Sequence, residues 1–180
     1  DEAIEHYQQA IKIKINFSEA YNNLANALGK KGKLKESISY YNEAIRFNSD
    51  YAGAHSNLGI ALSEQNQFEE AIRQYRKALQ IDPDLSRVHN NLAALLAQRG
   101  DFSEAISHYR EAITLDPGFA KAHNNFGSIL AQQGRFEEAM AHFERAINVD
   151  PNYIVARKNL ELARSLAGKK VKAQIRQELK

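Results

Sequence analysis

Residues 120–153 read "AKAHNNFGSILAQQGRFEEAMAHFERAINVDPNY", and the punctuation of that stretch decides the fold. Large residues (Phe126, Phe136, Phe143) alternate with small ones (Gly127, Ala139, Ala146) at helical spacing, so one face is apolar and another can approach a neighbour closely. Gly134 interrupts the pattern, as glycine does in the left-handed C-cap of a helix. Asp150 then precedes Pro151, and a residue before proline avoids helical geometry. The stretch therefore predicts a helical hairpin: one helix before Gly134, a second from Phe136, and a stop at Asp150–Pro151.

The same punctuation extends outward. Pro83, Pro117 and Pro151 are spaced by 34 residues and each follows an aspartate. In that frame 52–85, 86–119 and 120–153 align without a gap, and 18–51 is a fourth copy with Ser49 in the proline place. Residues 1–17 match the second half of another copy, 154–167 the first half of a further one, and 168–180 form a basic amphipathic tail. Small residues recur in the eighth place (Ala25, Gly59, Ala93, Gly127), the twentieth and the twenty-seventh; aromatic rings recur in the twenty-fourth (Tyr41, Tyr75, Tyr109, Phe143). The break between helices falls at Gly32, Asn66, Gly100 and Gly134, asparagine being the usual substitute for glycine there. A fixed period of this length is the signature of a stacked-repeat architecture.

With small residues in places 8, 20 and 27, an aromatic in place 24 and proline in place 32, the sequence resembles the tetratricopeptide repeat across roughly residues 1–167. Tyr21, His55, His89 and His123 stand where that family often has tryptophan. The resemblance implies an all-α, right-handed superhelical solenoid of antiparallel helix pairs. It also implies a concave wall lined by the first helix of each pair, where family members bind peptide segments and carry no catalytic chemistry.

Asparagine is a mediocre helix former, by about half a kcal/mol relative to alanine. Yet the sixth place is Asn23, Asn57, Asn91, Asn125 and Asn159, and the fifth is Asn22, Ser56, Asn90, Asn124 and Lys158. Because Leu24, Leu58 and Leu92 face inward, places 2, 5, 6, 9 and 13 turn toward the wall, the ninth including Asn26. An amide has both a donor and an acceptor, so a ladder of amides can hold a passing peptide backbone. Bridging adjacent helices would produce the same periodicity. The ladder is similar to that in the repeat arrays of the enzymes that transfer N-acetylglucosamine to protein serine and threonine, where such asparagines hold substrate and adaptor backbones. That resemblance adds the option that this chain is the substrate-recruiting arm of a larger enzyme. A clamp for a terminal carboxylate fits poorly: Arg87 and Lys121 occupy second places, but amides stand where further cations are needed.

Charge narrows the partners. Residues 154–180 carry eight Lys or Arg against two Glu, while the rest has 16 basic against 20 acidic side chains. Arg87, Lys121 and Lys158 fall on successive rungs toward the basic end, so an acidic ligand segment is expected there. An RNA-binding helical-repeat module is the competing reading from another class. The net acidic repeat body argues against it, because nucleic-acid binders must neutralise phosphates. Histidines repeating at 34 would sit about 10 Å apart, too far to share an ion with bonds of about 2 Å. No metal, cofactor or catalytic constellation is therefore expected. There is no apolar run long enough to span a membrane and no cysteine, which fits a cytoplasmic setting. Residues 1–17 look like a second helix without its first, so Ile4, Tyr7 and Ile11 offer a surface for self-association or for upstream sequence.

Overall fold

The computed structural model describes the backbone of residues 2–178 and the side chains of residues 2–171. The described residues form ten helices: α1 (Glu2–Ile13), α2 (Ser18–Lys30), α3 (Leu34–Phe47), α4 (Ala52–Glu64), α5 (Phe68–Ile81), α6 (Ser86–Arg99), α7 (Phe102–Leu115), α8 (Ala120–Gln132), α9 (Phe136–Val149) and α10 (Ile154–Glu178). They divide into two compact units, residues 1–92 and 93–180, with the boundary inside α6. In the first unit α1 packs on α2, α2 on α3, α3 on α4 and α4 on α5. In the second, α7 packs on α8, α8 on α9, and α10 on both α8 and α9.

The turn inside each pair has one geometry. Gly32, Gly100 and Gly134 have φ of 75°, 97° and 73°, and Asn66 takes the same left-handed conformation at 60°. Two hydrogen bonds close each turn, as in Lys33 N–H to Leu28 C=O (3.0 Å) with Gly32 N–H to Gly29 C=O (2.9 Å). The same pair recurs from Gln67 and Asn66, Asp101 and Gly100, and Arg135 and Gly134. This Schellman arrangement satisfies carbonyls that the helix end leaves without partners.

The turn between pairs repeats as well, by a device the proline spacing does not reveal. Asp82, Asp116 and Asp150 end their helices with φ of −136°, −135° and −126°. Their side-chain oxygens accept from the backbone N–H two residues on, at 3.0–3.1 Å. Asn48 does the same to Asp50 at 3.1 Å, so the turn survives where Ser49 replaces proline.

Close approach inside the pairs rests on the small residues. A Cβ added at Gly59 would lie 2.6 Å from the Tyr75 ring, and one at Gly127 would lie 2.7 Å from the Phe143 ring and 3.0 Å from the Ala139 carbonyl. Ala44, Ala78, Ala112 and Ala146 are fully buried. Ser37 fills the small twentieth place differently, donating its hydroxyl to the Ala25 carbonyl of the partner helix at 2.8 Å.

The ends differ from the repeat interior. No residue of α1 is fully buried, and Ile4, Tyr7 and Ile11 are only partly covered. At the other end the structure departs from separate 154–167 and 168–180 segments: α10 runs through Gly168 without a break. A single mid-helix glycine costs about 1 kcal/mol, which anchoring can offset. Lys170 supplies one anchor, donating to the Gly134 carbonyl at 3.2 Å and lying 5.9 Å from the Phe136 ring. In the expected amphipathic tail, Val171 is about half exposed. The side chains of Lys172, Ile175 and Arg176, together with residues 179 and 180, lie outside the described residues.

Candidate functional site

The fifth and sixth places, adjacent in sequence, have different surroundings. Asn22, Asn90 and Asn124 are buried, at 4%, 1% and 5% exposure. The expectation that these three line the wall with open amides is corrected by their position between helices. Lys158 and Ser56 share their place in the frame but are exposed and partly buried, respectively. Asn23, Asn57, Asn91, Asn125 and Asn159 are all partly exposed, so the sixth place borders solvent.

Hydrogen bonds explain the division. In the first unit Asn57 Nδ2–H donates to Asn22 Oδ1 at 3.0 Å, and Asn22 Nδ2–H passes on to Asn23 Oδ1 at 3.4 Å. The second unit repeats the relay: Asn159 donates to Asn124 at 2.9 Å, and Asn124 to Asn125 at 3.4 Å. Asn90 donates to Asn91 at 3.1 Å. A buried amide without partners is costly, and the relay gives Asn22 and Asn124 both a donor and an acceptor role. The bridging role weighed in the sequence is therefore real at the fifth place and partial at the sixth.

Tyrosines of the twenty-fourth place reach the same wall from behind. The Tyr41 hydroxyl donates to Asn26 Oδ1 at 2.6 Å, and Tyr75 hydrogen-bonds Asn91. Burial pushes the phenols of Tyr75 and Tyr109 upward, so they remain neutral donors at any physiological pH. Arg87, Lys121 and Lys158 are exposed, and none is ion-paired among the described residues.

Shallow recesses open between first helices. One of about 230 Å³ is lined by Asn26, Tyr41, Asn57, Ile60 and Glu64. In the second unit, one of about 370 Å³ is lined by Gln98, Tyr109, Asn125 and Gln132, and another of about 340 Å³ by Phe143, Asn159, Leu162 and Leu166. Sequence reasoning named Asn159 but missed the apolar members of the last set. Their signal was available, since leucine stands in the ninth and thirteenth places of this copy alone.

The repeating histidines have a structural assignment. His55, His89 and His123 each place Nε2 at 3.0–3.3 Å from the carbonyl six residues earlier, that of Ser49, Pro83 and Pro117. They tie the start of one pair to the end of the previous one. His123 also meets His142, Nδ1 to Nδ1, at 3.1 Å.

Stacked helix pairs with one turn geometry and a polar first-helix wall define a helical-repeat interaction scaffold. The chain belongs to the tetratricopeptide repeat family: two models of that repeat match it, one over residues 16–84 and the other over 56–118 and 90–154. No curated protein matches its sequence significantly. Among solved structures, "Crystal structure of MamA" superposes with a TM-score of 0.75 at 22% identity, covering 82% of this chain and 86% of that one. "MamA RS-1 ArsTM double mutant" gives a TM-score of 0.75 at 17% identity, covering 85% and 86%. At such identities the likeness concerns the fold. Membership of the family makes this chain a scaffold for protein partners, and no helix among the described residues is long and apolar enough to cross a membrane.

Proposed function

We propose that the first-helix walls bind an extended segment of a partner protein through its backbone, with the sixth-place asparagines as the contacts. The observation that carries this reading is the split between the two asparagine places. Fifth-place amides complete the inter-helix relay, whereas the sixth place holds asparagine in all five copies although each is partly open to solvent. Inter-helix bonding alone needs only the amide's NH₂ at Asn57 and Asn159, which leaves amide capacity for a ligand. Asn26 adds a further amide in the first unit, and Arg87, Lys121 and Lys158 bias the wall toward acidic segments.

The test uses peptides selected on the immobilised chain from a random display library, with affinities measured by fluorescence anisotropy. Asn23→Ala combined with Asn125→Ala is expected to weaken binding about tenfold, or about 1.4 kcal/mol, with an unchanged circular dichroism spectrum and a lowered denaturation midpoint, because each removes the acceptor of a buried fifth-place amide. A double variant that unfolds early yet binds normally would assign the sixth-place amides to helix packing alone.

A further inference from the structure

The recess between α8 and α10 is more apolar than its counterparts. Tyr41 and Tyr109 line the other two recesses with phenols, whereas Phe143 lines this one without a hydroxyl. In the ninth and thirteenth places the first-unit recess has Ile60 and Glu64 of α4 and the next has Ser128 and Gln132 of α8, whereas this one has Leu162 and Leu166 of α10, the pair without a polar member. These departures lie on two different helices, and they converge on one opening of about 340 Å³.

Packing within the unit does not account for them. α10 packs on α8 and α9, and its arginines bond back to the preceding pair, Arg157 donating to the Pro151 carbonyl and Arg164 to Glu144 Oε1 at 2.8 Å. Leu162 nevertheless remains 58% exposed and Val155 52% exposed, both in wall places of the frame. A helix whose arginines are bonded to the preceding pair and whose leucines stand where the wall is open is patterned for an apolar ligand group on the wall.

Charge supplies the second half of the argument. Lys158 precedes Leu162 by one helical turn, about 6 Å along the axis, and Lys121 precedes Ser128 by about two turns. Neither lysine is ion-paired among the described residues. An extended chain advances about 3.3 Å per residue, so a carboxylate reaching these lysines lies about two to four residues from a side chain seated in the recess.

We infer that this recess is an anchor pocket for one aliphatic or aromatic side chain of a partner segment, and that Lys121 and Lys158 select an aspartate or glutamate two to four positions away from it. The inference rests on the proposed wall-binding function and specifies what the bound segment carries.

The experiment pans a random-peptide display library against the whole chain and measures the selected peptides on wild type, Leu162→Gln, the Lys121→Glu/Lys158→Glu pair and Asn125→Ala. Leu162 is exposed, so its substitution is expected to leave the circular dichroism spectrum unchanged. Selected peptides should share a large apolar residue with an acid at the stated spacing. Replacing that apolar residue by glycine, or making Leu162→Gln, should each weaken binding about tenfold, and the two together no more than either alone. Charge reversal should abolish the preference for the acid. Peptides that lack the apolar residue, or that bind Leu162→Gln as tightly as wild type while losing affinity to Asn125→Ala, overturn the anchor pocket and leave the wall reading standing. If nothing binds, or binders ignore every substitution, both fall.

Discussion

A single asparagine shows how position in the frame sets the energetics of a residue. Asn124 is 5% exposed, accepts from Asn159 and donates to Asn125, so truncating it strips partners from two helices at once. We expect Asn124→Ala to lower unfolding stability by about 1–3 kcal/mol, the range for leaving buried hydrogen-bonding groups unsatisfied. Helix propensity returns only about half a kcal/mol of that. Lys121→Ala, one turn away and exposed, should change the urea midpoint little, and equal losses for the two variants would refute a relay that matters for stability. The periodicity of both asparagine columns was legible in the sequence, but their division into buried and open was not. Places 5 and 6 sit on the same boundary of the helix, and what separates them is the amide of a helix 34 residues away, which no local pattern reports.

At the scale of the element, α8 and α9 meet through two histidines whose protonation is constrained by their partners. The Pro117 carbonyl can only accept, so His123 carries its proton on Nε2 and its Nδ1 receives the Nδ1–H of His142. Burial lowers the pKa of both rings. His142 falls to about 4, with His123 and Arg110 adding to the depression and Glu138 opposing it. His123 is lowered despite the Pro117 carbonyl and Asp116, with Arg145 adding to burial. Folded values below the unfolded one mean that this contribution is fully present above about pH 6.5 and is lost as pH falls toward 4. After allowance for partial exposure we expect a loss of about 1–2 kcal/mol across that window. In the first unit Gln74 occupies the place of His142 and lies 2.7 Å from His55 Nδ1, so His142→Gln is a substitution the frame already accommodates. Thermal melts should show the acid slope flattened in that variant; an unchanged slope would move its origin elsewhere. Helix ends were the most legible feature at this scale, because glycine or asparagine at the left-handed position is a requirement of backbone sterics. The substitution of Asn48 for the Asp–Pro stop was overlooked because the sequence reading weighed the proline, whereas the hydrogen bond comes from the residue before it.

Across the whole molecule, the helix packing found within each unit joins elements one or two apart in the chain. Stability in such an array is approximately a sum of repeat terms and nearest-neighbour terms, and a local defect should remain local. Gly127 is the place to introduce one. Alanine there gains about 1 kcal/mol in helix propensity, but its Cβ would meet the buried Phe143 ring at 2.7 Å and the Ala139 backbone carbonyl at 3.0 Å. Phe143 is 1% exposed and the Ala139 carbonyl is backbone that cannot swing aside, so overpacking of about 1–3 kcal/mol should outweigh the propensity gain. Native-state hydrogen exchange followed by mass spectrometry should then show protection falling most in α8 and α9, less in α10, and least in α2 and α3. The α1 helix, which has no fully buried residue, should exchange fastest in wild type and variant alike. Equal loss of protection in every helix would show that the chain opens as one cooperative body, against the nearest-neighbour account.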